Sequence, residues 1–156
     1  MARASRKLGT TTKKDKKMIE CISNVKKIEH ADSDVFRILS DLSHLEKMKK
    51  NIAHDKIEEF SCTKDSCSFK VSPVGDVRFV VVERKPNSLV KLKSEQLPFD
   101  LFCWIQLVNK GEADTRMRIT ARAEAPVFMK PMLKKSLQEA INKIANLLEA
   151  LPYDTL

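Results

Sequence analysis

The chain has 156 residues, 42% of them apolar, which is enough for one domain with a sizeable core and too few for two. Its formal charge of +8 invites a nucleic-acid reading, but residues 1–17 hold seven Lys/Arg and one Asp, leaving 22 Lys/Arg against 20 Asp/Glu from residue 18 onward. The folded part is close to neutral, so specific nucleic-acid recognition is not expected, and with only three glycines a phosphate-cradling glycine loop is excluded.

In chain order, "MARASRKLGTTTKKDKK" (1–17) has almost nothing to bury and reads as a disordered basic tail ahead of a domain at 18–156. It lacks the apolar core of a secretory signal, and no later stretch approaches the roughly 20 apolar residues of a membrane span. A soluble, cytoplasmic protein is the expectation. "MIECISNVKKI" reads as a first strand. "ADSDVFRILSDL" reads as a short helix with Asp32 or Ser33 as N-cap and Val35, Leu39 and Leu42 on one face. "SHLEKMKKNI" follows as a second short helix with a Ser43–Glu46 capping box and a stripe of Leu45, Met48 and Ile52.

Six strand-like runs come next: "KIEEFSC", "SCSFKV", "DVRFVVVERK", "SLVKLKSE", "FDLFCWIQLV" and "TRMRITARAE". Turn residues in "TKD", "SPVGD", "KPNS" and "NKGEAD" separate them at hairpin length, so consecutive antiparallel strands are predicted. In the last run Met117, Ile119, Ala121 and Ala123 share a dry face, opposite Arg116, Arg118, Thr120 and Arg122. After Pro126 the apolar period lengthens to three or four residues as far as Leu151, the mark of a long amphipathic helix; Pro131 is harmless in its first turn.

This order predicts an α+β fold: a curved antiparallel seven-stranded sheet wrapped around a long C-terminal helix, with two short helices after strand one. With "ADSDVFRILSDLSHLEKM", "SPVGDVRFVVVER", "NKGEADTRMRI" and "KPMLKKSLQEAINKIANLLEALP", the chain from about 18 to 153 resembles the START-like, or SRPBCC, helix-grip (Bet v 1-like) superfamily, in particular its small bacterial polyketide cyclase/dehydrase-like members. The resemblance implies a cavity between sheet and C-terminal helix. The superfamily uses that space for lipids, sterols, polyketides, quinones and hormones, sometimes with catalysis and often by binding alone.

Cys21, Cys62, Cys67 and Cys103 read as buried thiols, although "CTKDSC" could set Cys62 opposite Cys67 across a turn. His30, His44 and His54 read as solvated loop residues, and no spacing supports a metal site or a nucleophile elbow, so no cofactor, metal or catalytic residue is assigned. The strand residues placed inward include Phe79, Leu101, Cys103, Ile105, Met117 and Ile119, none of them ionisable near neutrality. With Phe128, Met132 and Leu133 of the helix they form the candidate ligand site for an apolar or amphipathic molecule, lipid-, polyketide- or isoprenoid-like. Small Ala121 and Ala123 beneath the helix are expected to leave room for it. A cyclase or dehydratase on the same fold is the rival. By parity Phe102 and Trp104 turn to the outer face, beside Asp100 and Gln106, unless a bulge reverses them. Outward, they are a candidate partner surface or homodimer contact.

Overall fold

The computed structural model describes residues 16–48, 57–71 and 75–156. Strand β1 (Lys16–Ile22) begins two residues before the compositional break, and the rest of the basic tail lies outside the described residues. Then come β2 (Lys26–Ile28), helix α1 (Asp32–Leu39), a 3₁₀ helix (Leu42–Met48), β3 (Ile57–Cys62), β4 (Ser66–Val71), β5 (Gly75–Lys85) and β6 (Leu89–Glu95). β7 (Asp100–Gly111), β8 (Asp114–Pro126), a 3₁₀ turn (Val127–Met129) and helix α2 (Lys130–Glu149) complete the chain order. One antiparallel sheet runs β1-β8-β7-β6-β5-β4-β3, and β2 also pairs with β8. This is the α+β helix-grip arrangement expected from the order of elements.

Eight strands stand where seven were counted because the first one is broken at Ser23. Its N–H donates to the Ile119 carbonyl at 2.8 Å, while its Oγ accepts the Ile119 N–H at 2.9 Å. A side chain thus takes over one ladder bond, the backbone leaves register, and β2 pairs again with Lys26 opposite Met117. The helix starts also differ in detail. Ala31 occupies the N-cap of α1 with no side-chain cap, and Asp32 and Asp34 fall inside its first turn, where they favour the positive end of the helix. Ser43 bonds Asp41 through both its N–H and its hydroxyl, and Glu46 reaches the Cys62 N–H instead of closing a box. The second segment therefore winds as a 3₁₀ helix tied to β3.

The turns of "KPNS" and "NKGEAD" stand where they were read, while residues 72–74 of "SPVGD" lie outside the described residues. Asn87 takes a left-handed φ of 63° between β5 and β6, a conformation Asn tolerates. β7 and β8 join through Glu112 and Ala113, with Gly111 opposite Asp114, and β8 opens with an Arg116–Asp114 ion pair at 2.8 Å. The core lies on the concave side of the sheet, where Ile19, Cys21, Ile105, Met117, Ile119 and Ala121 meet the buried stripe of α2, namely Leu137, Ile141, Ala145 and Leu148. Tyr153 closes this core beyond α2: it is buried, its O–H donates to the Leu148 carbonyl at 2.6 Å, and its ring lies 5.6 Å from that of His30.

Burial pushes the Tyr153 phenol well above its ordinary range. The folded state keeps it neutral, whereas an unfolded chain ionises it near pH ~10, so stability is full below that pH and falls as pH rises past it. The half-buried Cys103 and buried Cys21 thiols, both raised by desolvation, act in the same direction from slightly lower pH. In urea denaturation, Tyr153→Phe is expected to lose about 1 kcal/mol at neutral pH and to show a shallower alkaline decline than the unaltered protein. An equally steep decline in the variant would remove Tyr153 as its source.

Candidate functional site

Cα partners in an antiparallel sheet share a face, so the pairings map the concave surface directly. Cys21, Ala121, Cys103, Leu92 and Val81 form one row across β1, β8, β7, β6 and β5. Ile19, Ala123 and Leu101 form the next. Helix α2 packs mainly on β1, β8 and β2. There the Cys21 Sγ–H donates to the Lys134 carbonyl at 3.6 Å and the Gln138 amide to the Ile22 carbonyl at 3.0 Å. Ala121, Ala123 and Ala125 are wholly buried, with no water-sized space touching them. The small side chains beneath the helix therefore bring it close to the sheet, which corrects the expectation that they leave a void.

The free apolar surface lies one half-sheet away. Phe60, Phe69 and Phe79 of β3, β4 and β5 stack in file with 6.1 Å between successive centroids. Phe60 is buried, but Phe69, Phe79, Val81, Leu97 and Phe99 are only half-covered. At the start of α2 Leu133 is half-buried and Met132 is 68% exposed, while Phe128 of the preceding 3₁₀ turn is 84% exposed. Among the sequence-predicted site residues, Phe79, Cys103 and Leu133 are half-covered, and Leu101 and Ile105 are buried. Met117 and Ile119 sit in the closed core under α2. Phe128 and Met132 lie off the buried stripe, since Leu133, Leu137 and Ile141 recur at four-residue spacing and Met132 is displaced about 100° from it. Sequence reasoning passed over Phe69, and put Phe99 on the apolar face of its strand by parity without counting it among the site residues. The alternation in "SCSFKV" puts Phe69 on the face of Cys67 and offered a usable signal.

Cys103, set among apolar neighbours, has its thiol pushed up to about 12 by burial and is neutral at physiological pH. His44 directs Nδ1 at the Ile38 and Asp41 carbonyls, both at 3.1 Å, and His30 meets Tyr153, so both rings are engaged at the short-helix end and are half-buried, not loop-solvated. His54 lies outside the described residues. At that same end Arg84 joins three segments, donating to the Ser40 carbonyl at 2.9 Å, the Lys64 carbonyl at 3.2 Å and Asp65 at 2.8 Å. Beside it Cys62 and Cys67 form a disulfide where free thiols were expected, because the β3–β4 register sets them as direct partners with Cα atoms 4.1 Å apart. Closing so short a loop contributes at most about 2 kcal/mol by chain entropy.

On the outer face Phe102 and Trp104 stand where parity puts them, with ring centroids 6.1 Å apart. Their cross-strand partners on β6 are lysines, and these fold over the rings: Lys91 Nζ lies 5.0 Å from the Phe102 centroid and 5.2 Å from that of Trp104, and Lys93 Nζ lies 5.7 Å from Phe102. Arg122, held at 2.7 Å by Glu20, covers Trp104 at 5.3 Å. A concavity of about 270 Å³ adjoins the rings, bounded by Met18, Asp100 and Glu124. A second, of about 510 Å³, runs along α2 between Lys130, Lys134 and Glu139. Among the described residues there is no cluster of His, Cys, Asp and Glu suited to a metal ion, and no helix is long and apolar enough to cross a membrane.

No family model and no curated protein matches the sequence. Solved structures do match. Norcoclaurine synthase from Thalictrum flavum, in complex with dopamine and hydroxybenzaldehyde, superposes with a TM-score of 0.70 at 8% identity over 89% of this chain and 88% of that one. A START superfamily protein from Mycobacterium smegmatis gives 0.61 at 15% identity, over 85% and 94%. This chain has the START-like helix-grip fold. A conserved protein from Geobacillus kaustophilus shares that fold with a TM-score of 0.59 at 16% identity, over 84% of this chain and 93% of the other. In this START-like chain the aromatic file stands on β3, β4 and β5, whereas α2 packs mainly on β1, β8 and β2.

Thiol titration in denaturant checks the cysteine arrangement. Two thiols, Cys21 and Cys103, are expected to react before reduction and four after it. Four before reduction would show that Cys62 and Cys67 are not joined.

Proposed function

We propose that the protein binds a small apolar or amphipathic molecule, lipid-, polyketide- or isoprenoid-like, between the concave sheet and the start of α2. The observation that carries this is the uncovered aromatic surface: a file of three phenylalanines of which Phe69 and Phe79 stay half-exposed, on strands other than those on which α2 mainly packs. Fully covering one such side chain is worth about 1.5–3 kcal/mol, so a ligand laid over several of them gains affinity in the micromolar range after association costs. The adaptable Met132 suits ligands of more than one shape. The plant synthase of the same fold, seen with two small aromatic molecules, supports the size and character of the occupant. Phe79, Val81, Leu92, Leu101 and Cys103, which share the concave face beside the file, are apolar, which favours binding over the cyclase or dehydratase alternative, since acid–base chemistry needs an ionisable group at the reacting atoms.

Phe79→Trp tests the reading by filling the space. Nile red, a neutral dye that brightens in apolar surroundings, is expected to bind the unaltered protein and to bind the variant at least 10-fold more weakly, with a melting temperature within a few degrees. Unchanged dye affinity in a folded Phe79→Trp protein would place binding elsewhere.

A second reading rests on the outer face, where the covering cations and the adjoining concavity make Phe102 and Trp104 a candidate partner or homodimer surface. Each cation–ring contact is worth about 0.5–1 kcal/mol when exposed. Sedimentation of the unaltered protein and of Trp104→Ala decides it: a dimer that becomes monomeric in the variant supports self-association, and a monomer throughout rejects it.

A further inference from the structure

Five polar residues are buried among the described ones, and four of them are bonded. Ser23 bonds Ile119 and Asn24, Thr115 donates to the His30 carbonyl at 2.7 Å, Thr120 to Gln106 Oε1 at 3.1 Å, and Ser66 shares a bond with Thr63 at 2.9 Å. Ser94 is the exception. It is 6% exposed and its Oγ has no partner, alone in this respect among buried side-chain oxygens and nitrogens of the described residues. Native proteins rarely leave such a group unpaired, because removing it from water without compensation costs as much as a lost hydrogen bond.

The position of Ser94 gives that cost a purpose. Its neighbours in sequence, Lys93 and Glu95, are exposed, so alternation turns Ser94 to the concave side together with Leu92. Its Cα partner on β5 is Phe79, the last ring of the aromatic file, and on the other side it lies one step beyond the Lys93–Phe102 pair, toward Leu101. The single unsatisfied hydroxyl thus stands in the apolar surface assigned to the ligand. We propose that Ser94 Oγ is the polar anchor of this site and that the ligand is a neutral molecule bearing a carbonyl or hydroxyl group on an apolar body.

This rests on the concave-face reading and narrows it. A hydroxyl can donate to a carbonyl or exchange a bond with another hydroxyl. A carboxylate is disfavoured, because Phe79, Leu92, Leu101 and Cys103 supply no positive charge to offset its desolvation. The same neighbours supply no base to activate the serine as a nucleophile, which leaves recognition as its role.

Displacement of bound Nile red by decane, decanol, methyl octyl ketone and decanoate tests the proposal on the full chain and on Ser94→Ala. The unaltered protein is expected to take decanol and the ketone about 10-fold more tightly than decane, and decanoate most weakly. Ser94→Ala is expected to lose that preference while keeping its affinity for decane, and without ligand to melt at or above the unaltered protein, since an unpaired buried hydroxyl has been removed. A preference that survives in Ser94→Ala overturns the proposal and leaves the concave-face reading standing, as does tightest binding of decanoate. A loss of several degrees in ligand-free Ser94→Ala also overturns it, by showing that the hydroxyl is bonded within the fold. If Nile red fails to bind the unaltered protein, the concave-face reading falls and the anchor with it.

Discussion

Strand β8 is the constraint on which the other elements depend. Over its 13 residues it pairs with β7 on one edge and with β1 and then β2 on the other. Its concave side runs through Thr115, Met117, Ile119, Ala121, Ala123 and Ala125, all buried, so large side chains stand at the end nearer the β7–β8 turn and small ones at the end nearer α2. This taper sets how closely the helix approaches. Over Ala121 to Ala125 only Cβ atoms intervene, and α2 settles until Cys21 and Gln138 make direct bonds between helix and strand. Larger residues at those positions would lift the helix and open its seam with the sheet, which is why the alanines are packing residues and not the floor of a cavity.

The seating of α2 on the β1–β8 side has a geometric consequence. A single helix about 10 Å across cannot cover the concave face of a sheet whose strands are spaced about 4.8 Å apart and number seven along the main path. The short-helix segment covers one end of the remainder through its contacts to β3 and β4, strengthened by Glu46 on Cys62 and by the Arg84 clamp. The part left over holds Phe69, Phe79 and Phe99. The proposed binding surface is therefore a residue of the packing problem: strands far from the helix keep their apolar side chains but lose their cover.

Much of the architecture was legible because it rests on local signals. Alternation in "TRMRITARAE" and the change of period after Pro126 required no knowledge of partners, and the parity that turns Trp104 outward survived because β7 keeps its register with β8 from Asp100 to Asn109. What escaped the sequence depended on contacts far apart in the chain or on the exact register of neighbouring strands. The break at Ser23 exists because its hydroxyl meets Ile119, 96 residues away, and the disulfide exists because the β3–β4 register sets Cys62 opposite Cys67. The site residues divided by the same rule. Phe79 and Leu133 could be placed by period alone, whereas the assignment of Met117 and Ile119 to a ligand surface required knowing where along the sheet α2 comes to rest.

The two faces of β6 solve opposite problems with neighbouring residues. Outward, Phe102 and Trp104 would present bare rings to water, and their β6 partners Lys91 and Lys93 cover them with flexible apolar stems while keeping the ammonium groups hydrated. That cover needs long side chains on the adjacent strand and no helix. Inward, no such cover is available to Phe79: its β6 partner is Ser94, too short to shield a ring. A lysine there would bury its charge, and a large apolar residue would close the surface. Serine does neither. At the start of α2, the 3₁₀ turn Val127–Met129 leads into a helix with no side-chain cap and with Phe128 and Met132 free, so the boundary of the open region is also where the helix has the fewest anchors. On the proposed function, an apolar molecule takes the place over Phe79 that neither α2 nor a β6 side chain fills.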